Sequence, residues 1–237
     1  KNLPINMVNL DIFNEIDSTN DEAKRIDIKK DFHVIVAEEQ IQGRGRLGKK
    51  WLSPNSGNIY MTIATTKELS FMPISLISGL ICKNAINSFL NNSLIMLKWP
   101  NDIIYKKKKI GGILVETESS KDELRTIIGI GINFSIDKME SWWGDLSEFK
   151  LEYQRNHLIN SILSEFIKIY ENFSSNWKEQ WMKSCIHMNK EIKIYKSESL
   201  QMKGMFKGID DKGNAIVETK DGLETIVSGE ISIKGVY

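Results

Sequence analysis

The stretch Gly43-Arg44-Gly45-Arg46-Leu47-Gly48-Lys49-Lys50-Trp51 brings together three glycines, four cationic side chains and one indole ring. Glycine lets the main chain approach a ligand closely and adopt a positive φ. Arginine and lysine offer charge-assisted hydrogen bonds to an anion, and Trp51 offers a flat face to a planar ring. The stretch therefore predicts a site for a phosphate carried by a molecule with a stacked planar ring.

The glycine spacing Gly43-x-Gly45-x-x-Gly48 also fits the dinucleotide-binding pattern, which is weak when it occurs alone. That pattern needs a helix directly after the glycines, whose N-terminus faces the pyrophosphate. Residues 51–58 instead contain Pro54 and several turn-forming side chains. The sequence therefore disfavours a Rossmann site. A solvated basic loop that binds no ligand is also disfavoured, because two further motifs, at 98–102 and 109–116, accompany the stretch.

The bulk composition is that of an ordinary globular protein, with 237 residues, 41% hydrophobic and 27% charged. The 32 basic and 31 acidic residues give a net charge of +1, so no overall field favours nucleic acid or a membrane surface. The two cysteines form neither a metal-ligand cluster nor a disulfide framework, so no protein-held metal is expected. No apolar run has the length of a membrane span or a secretory core, which favours a cytoplasmic location.

Hydrophobic periodicity predicts an α+β organisation. Helices are expected at 21–28, where Thr19 and Glu22 form a capping box, at 73–90, and around 158–173. Strands are expected at 34–37, 58–65, 94–98 and 127–134, with a hairpin of 103–105 and 110–116 turned by the lysines at 106–108. From residue 189 short strands alternate with turn signals, which is typical of a small all-β module.

Two more motifs define the chain: Lys98-Trp99-Pro100-Asn101-Asp102 and Lys109-Ile110-Gly111-Gly112-Ile113-Leu114-Val115-Glu116. Together with the glycine stretch, and with Ser18-Thr19-Asn20, Gln40, Gly129-Ile130-Gly131-Ile132-Asn133 and Gly208-Ile209-Asp210, they resemble the biotin–protein ligase family. The resemblance runs over almost the whole chain, in family order. A single motif of this kind is weak, but the ordered set is specific.

The resemblance implies a class II aminoacyl-tRNA-synthetase-like catalytic domain at 1–188, built on a mixed, largely antiparallel sheet with helices. A C-terminal SH3-like β-barrel is implied at 189–237. Members of the family form biotinyl-5′-AMP from biotin and ATP with Mg²⁺, then transfer biotin to a lysine of a biotin carboxyl carrier protein domain. Only 17 residues precede Ser18, so a short form without the N-terminal DNA-binding domain is expected, as a monomer or weak homodimer.

Three side chains are the candidate catalytic groups by this resemblance. Lys109 opens the third motif, and its ammonium is expected to bridge the biotin carboxylate and the α-phosphate. Arg44 and Arg46 are expected to bind the same anions. The neighbouring lysines 106–108 carry no family match and are expected to be a solvated turn. Leu47 and Lys49 stand where the family often has arginine, and Lys49 keeps the charge without the bidentate geometry.

The remaining candidate residues are expected to hold the substrates. Ser18, Thr19, Asn20 and Gln40 offer neutral donors and acceptors that suit the ureido ring of biotin. Trp51, Asn101 and Asn133 are expected around the adenine, Lys207 near the nucleotide, and Gly43, Gly45, Gly111 and Gly112 where the backbone comes close. Asp102 either orients Lys98 or helps to hold Mg²⁺, and the sequence does not separate these roles.

Three alternatives remain open at this point. A lipoate–protein ligase or octanoyltransferase shares a related fold and also modifies a carrier lysine, although the glycine–arginine stretch favours biotin. A biotin-responsive DNA-binding regulator is disfavoured by the short segment before Ser18. An inactive biotin-binding protein is disfavoured because Lys109, Arg44 and Arg46 are present.

Overall fold

The computed structural model describes residues 6–92, 94–120, 123–137, 140–174, 176–196, 199–229 and 231–234. Residues 1–5 lie outside the described residues, and with them most of the N-terminal segment in which the sequence predicts no secretory core. Within the described part of the chain, no helix combines the length and apolar character needed to cross a bilayer.

Among the described residues, a seven-stranded sheet and four α-helices form the larger part of the molecule. Its elements follow in chain order: β1 (Val8–Ile16), α1 (Thr19–Arg25), β2 (Phe32–Gln40), β3 (Ile59–Thr65), α2 (Ile74–Leu90), β4 (Met96–Lys98), β5 (Asp102–Tyr105), β6 (Lys108–Ser120), β7 (Glu123–Ile132), α3 (Arg155–Glu171) and α4 (Trp177–Ser184). The strand order is β1-β2-β3-β7-β6-β5-β4. Only β1 and β2 run parallel, so the sheet is mixed and largely antiparallel, as predicted.

The core lies on both faces of this sheet. On one face α2 and α3 pack over the central strands, and Ile77, Ile81 and Phe166 are buried there. On the other face Ala23 of α1 packs against Ile35 and neighbouring strands. Every residue of β3 is buried, because β3 is a central strand with helices on both sides, so its alternating sequence does not mark a solvent-facing side.

The first helix differs in detail from its prediction. It begins at Thr19, and Ser18 is its N-cap, with the Ser18 hydroxyl accepting from the Asp21 N–H at 3.4 Å. The predicted capping box of Thr19 and Glu22 is wrong, since Thr19 lies inside the helix and its hydroxyl contacts Gln40. The helix ends at Arg25 rather than at residue 28.

Two strands and one α-helix of the described residues were not predicted. Strand β1 is an edge strand whose exposed and covered residues alternate irregularly, and it pairs with β2 at long sequence separation. Helix α4 has only eight residues, and its burial rests on Trp177 and Trp181. The last strand, β12 (Ile231–Lys234), is four residues long. Short elements of this kind gain their stability from tertiary packing more than from local pattern.

The C-terminal strands form a five-stranded antiparallel sheet, in the region where the sequence predicts a small all-β module and the family resemblance implies an SH3-like β-barrel. They are β8 (Glu191–Lys196), β9 (Ser199–Ile209), β10 (Ala215–Thr219), β11 (Gly222–Ile226) and β12, in the order β11-β10-β9-β8-β12. This sheet is docked on the larger part through buried contacts. The Trp99 indole N–H donates to the Gly213 carbonyl, in the β9–β10 turn, at 2.9 Å. Trp99 is buried.

Candidate active site

A cavity of about 990 Å³ opens between the seven-stranded sheet and the loop that carries the glycine stretch. The N-terminus of α1, the β4–β5 turn and the strands β6 and β7 complete its walls. Most of the predicted site residues line it: Ser18, Thr19, Asn20, Gln40, Arg44, Gly45, Arg46, Trp51, Asn101, Lys109, Gly112 and Asn133. Residues far apart in the sequence therefore meet around one space.

The glycine stretch is a folded loop. Arg46–Gly48 forms one turn of 3₁₀ helix, in which Leu47 and Gly48 have φ of 57° and 71°. The Gly45 N–H donates to the Lys49 carbonyl at 2.7 Å, and the Trp51 N–H donates to the Gly43 carbonyl at 2.9 Å. Gly43 is needed for the loop itself, because a Cβ there would lie 2.4 Å from the Trp51 carbonyl oxygen.

Trp51 packs against two glycine-containing strands. A Cβ on Gly131 would approach the Trp51 ring to 2.6 Å, and one on Gly112 would lie 3.3 Å from the Lys109 ammonium nitrogen. The Lys109 nitrogen is also 5.3 Å from the centre of the Trp51 ring. Gly111 instead allows close packing between strands, since a Cβ there would lie 2.8 Å from the Gly131 carbonyl oxygen. Gly131 was not among the predicted site residues, although its motif had been noticed.

One end of the cavity, which we call the polar end, consists of Ser18, Thr19, Asn20 and Gln40. The Thr19 N–H and hydroxyl donate to the Gln40 amide oxygen at 2.9 and 3.0 Å. The Thr62 hydroxyl lies 2.7 Å from the Asn20 amide oxygen, and the Gln40 amide nitrogen donates to the Ser53 hydroxyl at 2.9 Å. Thr62 and Ser53 carried no recognisable signal in the sequence.

Beside the polar end lies an ion-pair cluster of Lys24, Arg44, Asp21 and Glu116. Arg44 contacts Asp21 at 2.5 Å and Glu116 at 3.0 Å, and Lys24 contacts Glu116 at 3.0 Å. Burial acts to raise the pKa of Glu116, but hydrogen bonds from Asn20, Arg44 and Lys24 hold it below its usual value. The charge of Arg44 is therefore balanced by carboxylates of the protein itself, which its predicted role did not include.

The opposite end, the cationic end, consists of Arg46, Lys49, Lys98 and Lys109 around the carboxylate of Asp102. The Lys109 nitrogen is 2.6 Å from an Asp102 oxygen. Burial lowers the pKa of Lys98 to about 8; Asp102 opposes the shift, and the charges of Lys109 and Lys49 add to it. Burial also lowers the pKa of Arg46, again with Asp102 opposing. An excess of confined positive charge of this kind favours an anionic ligand.

A bulge in β6 aims Lys109 into this end. The register between β5 and β6 passes from Ile103–Gly111 to Ile104–Lys109, so Ile110 is the extra residue. The Lys109 N–H and carbonyl are bonded to the Trp142 carbonyl and the Gly144 N–H at 2.9 and 2.8 Å. Lys98 was missed as a site residue, although it opens the second motif. The predicted lysine turn is found at 106 and 107, which both have positive φ, while Lys108 already belongs to β6.

The other predicted residues are placed as follows. The Asn101 amide donates to the Ile113 carbonyl at 2.8 Å, and the buried Asn133 amide donates to the Gly144 carbonyl at 3.1 Å. Lys207 is exposed on the C-terminal sheet, 3.5 Å from a Glu218 oxygen, and is not a wall of the cavity. Trp142 and Trp143 line the cavity without having been predicted.

Comparison with known proteins agrees with this geometry. Residues 12–133 match the biotin/lipoate A/B protein ligase family, and residues 187–234 match the biotin protein ligase C-terminal domain. The bifunctional ligase/repressor BirA of Escherichia coli is 30% identical, with 92% of this chain and 72% of that protein covered. The biotin–[acetyl-CoA-carboxylase] ligase of Paracoccus denitrificans is 25% identical, with 85% and 90% covered.

Solved structures show the same relationship. A biotin protein ligase from Aquifex aeolicus, in complex with biotin and ATP, has a TM-score of 0.81 and 30% identity, with 95% of this chain and 98% of that chain covered. This likeness confirms the predicted class II aminoacyl-tRNA-synthetase-like catalytic fold and the C-terminal antiparallel sheet. The chain therefore belongs to the biotin/lipoate A/B protein ligase family, in its biotin protein ligase branch.

Proposed function

We propose that this protein is an ATP-dependent biotin ligase that forms biotinyl-5′-AMP and then transfers biotin to a lysine of a biotin carboxyl carrier protein domain. One observation carries the proposal: a single cavity combines a neutral polar end, a cationic end, and Trp51 packed against glycine-bearing strands. An amphipathic acid with a urea ring needs the first end, and a carboxylate beside a triphosphate needs the second.

The polar end is proposed to hold the ureido ring of biotin. The side chains there are neutral donors and acceptors, and the hydrogen bonds among Thr19, Gln40 and Asn20 fix their orientation. A urea presents two N–H groups and one carbonyl, so an amide oxygen and hydroxyl groups match it without any charge to neutralise. Orientation of this kind limits the entropy lost when the ligand binds.

The cationic end is proposed to catalyse adenylation. A carboxylate oxygen of biotin attacks the α-phosphorus of ATP, a new P–O bond forms, and the bond to the leaving pyrophosphate breaks. Lys109, Lys98 and Arg46 face the negative charge that gathers on both groups, and their fixed positions supply preorganised stabilisation. Asn101 and Asn133 line the same space and are proposed to surround the adenine, with Trp51 as the stacking surface.

Mg²⁺ is expected to enter with the nucleotide. It prefers oxygen ligands and is commonly held by one or two carboxylates together with phosphates. Asp102 is the carboxylate within the cationic end, and its oxygen chemistry fits this ion. When bound, the ion would neutralise phosphate charge, while Asp102 also keeps Lys109 in place.

In the second step the neutral amine of the carrier lysine attacks the acyl carbon of the mixed anhydride. The C–N bond forms, the bond to AMP breaks, and the amine loses a proton. We propose that residues 1–188 contain the groups for both steps and that residues 189–237 support nucleotide use or carrier transfer. The monomer or weak homodimer expected from the sequence is retained as part of this proposal.

The transfer step is tested with the full chain, labelled biotin, Mg-ATP and an isolated biotin carboxyl carrier domain. The proposal expects label on the carrier, and none on a control carrier whose acceptor lysine is arginine. Free biotinyl-5′-AMP without carrier labelling would overturn the transfer step alone. The lipoate alternative is separated by the acid used: labelling by lipoate or octanoate, and not by biotin, would replace the proposal.

A further inference from the structure

Arg46 joins two parts of the molecule that are far apart in sequence. Its Nη2 atom donates to the Gly229 carbonyl at 2.8 Å and to the Ser228 carbonyl, across more than 180 residues of chain. Ser228 and Gly229 lie in the turn between β11 and β12 of the C-terminal sheet. The guanidinium therefore sits in the cavity while the C-terminal sheet holds one of its nitrogens.

The same guanidinium contacts the larger sheet more weakly. Its Nη1 atom is 3.4 Å from the Asn101 amide oxygen, and the Asn101 amide nitrogen is in turn fixed on the Ile113 carbonyl at 2.8 Å. The contacts with Ser228 and Gly229 are shorter. They are thus the stronger restraint that these hydrogen bonds place on the side chain.

We infer that the turn at Ser228 and Gly229 is a positioning element of the active site, through which the C-terminal sheet orients Arg46 for adenylation. The inference rests on the proposed function, because it assigns Arg46 to that reaction. Arginine has a long side chain that loses considerable rotamer freedom when it is fixed. A guanidinium that is already held in place need not lose that freedom when the substrate anion arrives.

Arg44 provides a matched comparison within the same loop. It belongs to the ion-pair cluster with Asp21 and Glu116, which lie in the larger part of the molecule. A change at Arg44 therefore alters the loop without altering the described contact with the C-terminal turn. Replacement of either arginine by lysine keeps the positive charge and removes the planar two-pronged donor.

The first test is independent of activity. Backbone amide hydrogen exchange of residues 222–229 is measured in the wild type, Arg46→Lys and Arg44→Lys, all as full-length protein without ligand. We expect faster exchange in Arg46→Lys, because the turn loses its restraint. Arg44→Lys is expected to match the wild type in this segment. Equal exchange in all three proteins would show that Arg46 does not hold the turn, and would overturn the inference.

The second test is a double-mutant cycle on biotin-dependent ATP–pyrophosphate exchange. One glycine is inserted between Ser228 and Gly229, alone and together with Arg46→Lys. Each single change is expected to reduce kcat/KM for ATP by about tenfold, the scale of a charged hydrogen bond, with a smaller change in KM for biotin. The double change is expected to do no more than either alone, because both act on the same guanidinium.

Two controls protect the interpretation. A glycine inserted between Asp221 and Gly222, in the neighbouring β10–β11 turn, is expected to leave kcat/KM unchanged, and thermal melting checks that each insertion folds. If the double variant lost kcat/KM by the product of the two single losses, the positioning role would be overturned. This would hold even if amide hydrogen exchange were faster in Arg46→Lys. Wild-type protein without exchange activity would contradict the proposed function, and the amide measurement would still decide whether the turn is held.

Discussion

Arg44 and Arg46 stand two residues apart in one glycine-rich loop, yet they lie in opposite electrostatic surroundings. Arg44 closes on Asp21 and Glu116, so protein carboxylates compensate its charge. Arg46 donates to backbone carbonyls and shares its end of the cavity with Lys98, Lys109 and Asp102. We therefore expect the two arginines of one motif to have separate tasks, Arg44 in holding the loop and Arg46 in binding substrate.

Lys98 also distinguishes the cationic end from the ion-pair cluster. Burial and the charges of Lys109 and Lys49 lower the pKa of Lys98, and Asp102 offsets only part of this shift, so the cationic end disfavours further positive charge. Polyphosphate would relieve that strain, whereas the ion-pair cluster has no comparable excess among its four members. The two ends can therefore be separated by experiments that change one charge at a time.

The largest effect is expected at Lys109, the centre of the cationic end. Lys109→Ala removes an electrostatic partner of the developing charge, a loss that typically costs on the order of 3–4 kcal/mol of barrier. ATP–pyrophosphate exchange is expected to fall accordingly, with a smaller loss of biotin affinity because the polar end is intact. Lys107→Ala, in the exposed turn, is the matched control; an equal loss there would remove Lys109 from its role.

The next largest effects are expected at the two arginines, on activity for Arg46 and on stability for Arg44. Arg46→Ala is expected to lower exchange activity by roughly tenfold to a hundredfold, since one fixed donor to the anion is lost. Arg44→Ala is expected to lower the free energy of unfolding by only about 1 kcal/mol. The side chains of Arg44 and Asp21 are about one-third exposed, so solvent screens their ion pair.

Urea denaturation and exchange kinetics on both variants provide the measurement. Glu116→Gln is the control on the other side of the ion pair, and it is expected to resemble Arg44→Ala in stability. If Arg44→Ala lost activity as severely as Arg46→Ala while keeping wild-type stability, the separation of tasks would be wrong.

A pH effect is expected from Lys98. Its pKa in the folded chain is about 8, so the ammonium is lost as pH rises through 8, and kcat/KM for ATP is expected to fall by up to about tenfold per pH unit above that point. Lys98→Arg is expected to keep activity at high pH. Lys83→Met, on α2 and outside the cavity walls, is the control and is expected to follow the wild-type profile.

The same pKa has a consequence for stability. The folded pKa lies below the unfolded value of 10.5, so the unfolded chain binds the proton more tightly between about pH 8 and 10.5. The buried charge of Lys98 therefore lowers the free energy of unfolding most below pH 8, and this destabilisation decreases as pH rises from about 8 to 10.5. Comparing the unfolding free energy of wild type and Lys98→Met at pH 7 and pH 9.5 measures this difference.

The smallest effect concerns the loop itself. The loop is folded in the structure, but its three glycines and exposed lysines make it easier to open than the sheet, and biotin with Mg-ATP is expected to hold it closed over the site. Lys49 and Lys50 are exposed, whereas Arg44 and Arg46 are engaged by their partners, so trypsin is expected to cut first at the two lysines. Ligands are expected to slow this cleavage by a few fold; unchanged cleavage would contradict closure.

The sequence predicted most of the cavity because its walls come from short local motifs. The glycine stretch, Lys109 and the residues of the polar end each carry a local signal, and α2 was predicted almost to the residue from its helical periodicity. What could not be predicted depends on distant partners. Glu116 reaches Arg44 from 72 residues away, and Ser228 reaches Arg46 from 182 residues away. No local pattern encodes such pairs.

The same reason explains the missed elements. The bulge at Ile110 exists only because β5 and β6 pair out of step, which a single strand does not reveal. Thr62 and Ser53 look like ordinary strand and loop residues until Asn20 and Gln40 are placed beside them. Lys98 was visible in its motif, but its importance depends on burial and on its neighbours.

The proposed function requires the polar end to bind biotin and the cationic end to catalyse its adenylation. It is tested most directly by ATP–pyrophosphate exchange with the full chain and Mg-ATP, driven in turn by biotin, lipoate and octanoate, with Lys109→Ala as the control protein. Exchange is expected with biotin, with little exchange for the other two acids and near-complete loss in Lys109→Ala. Exchange driven by lipoate or octanoate and not by biotin, or biotin-driven exchange that survives in Lys109→Ala, would contradict it.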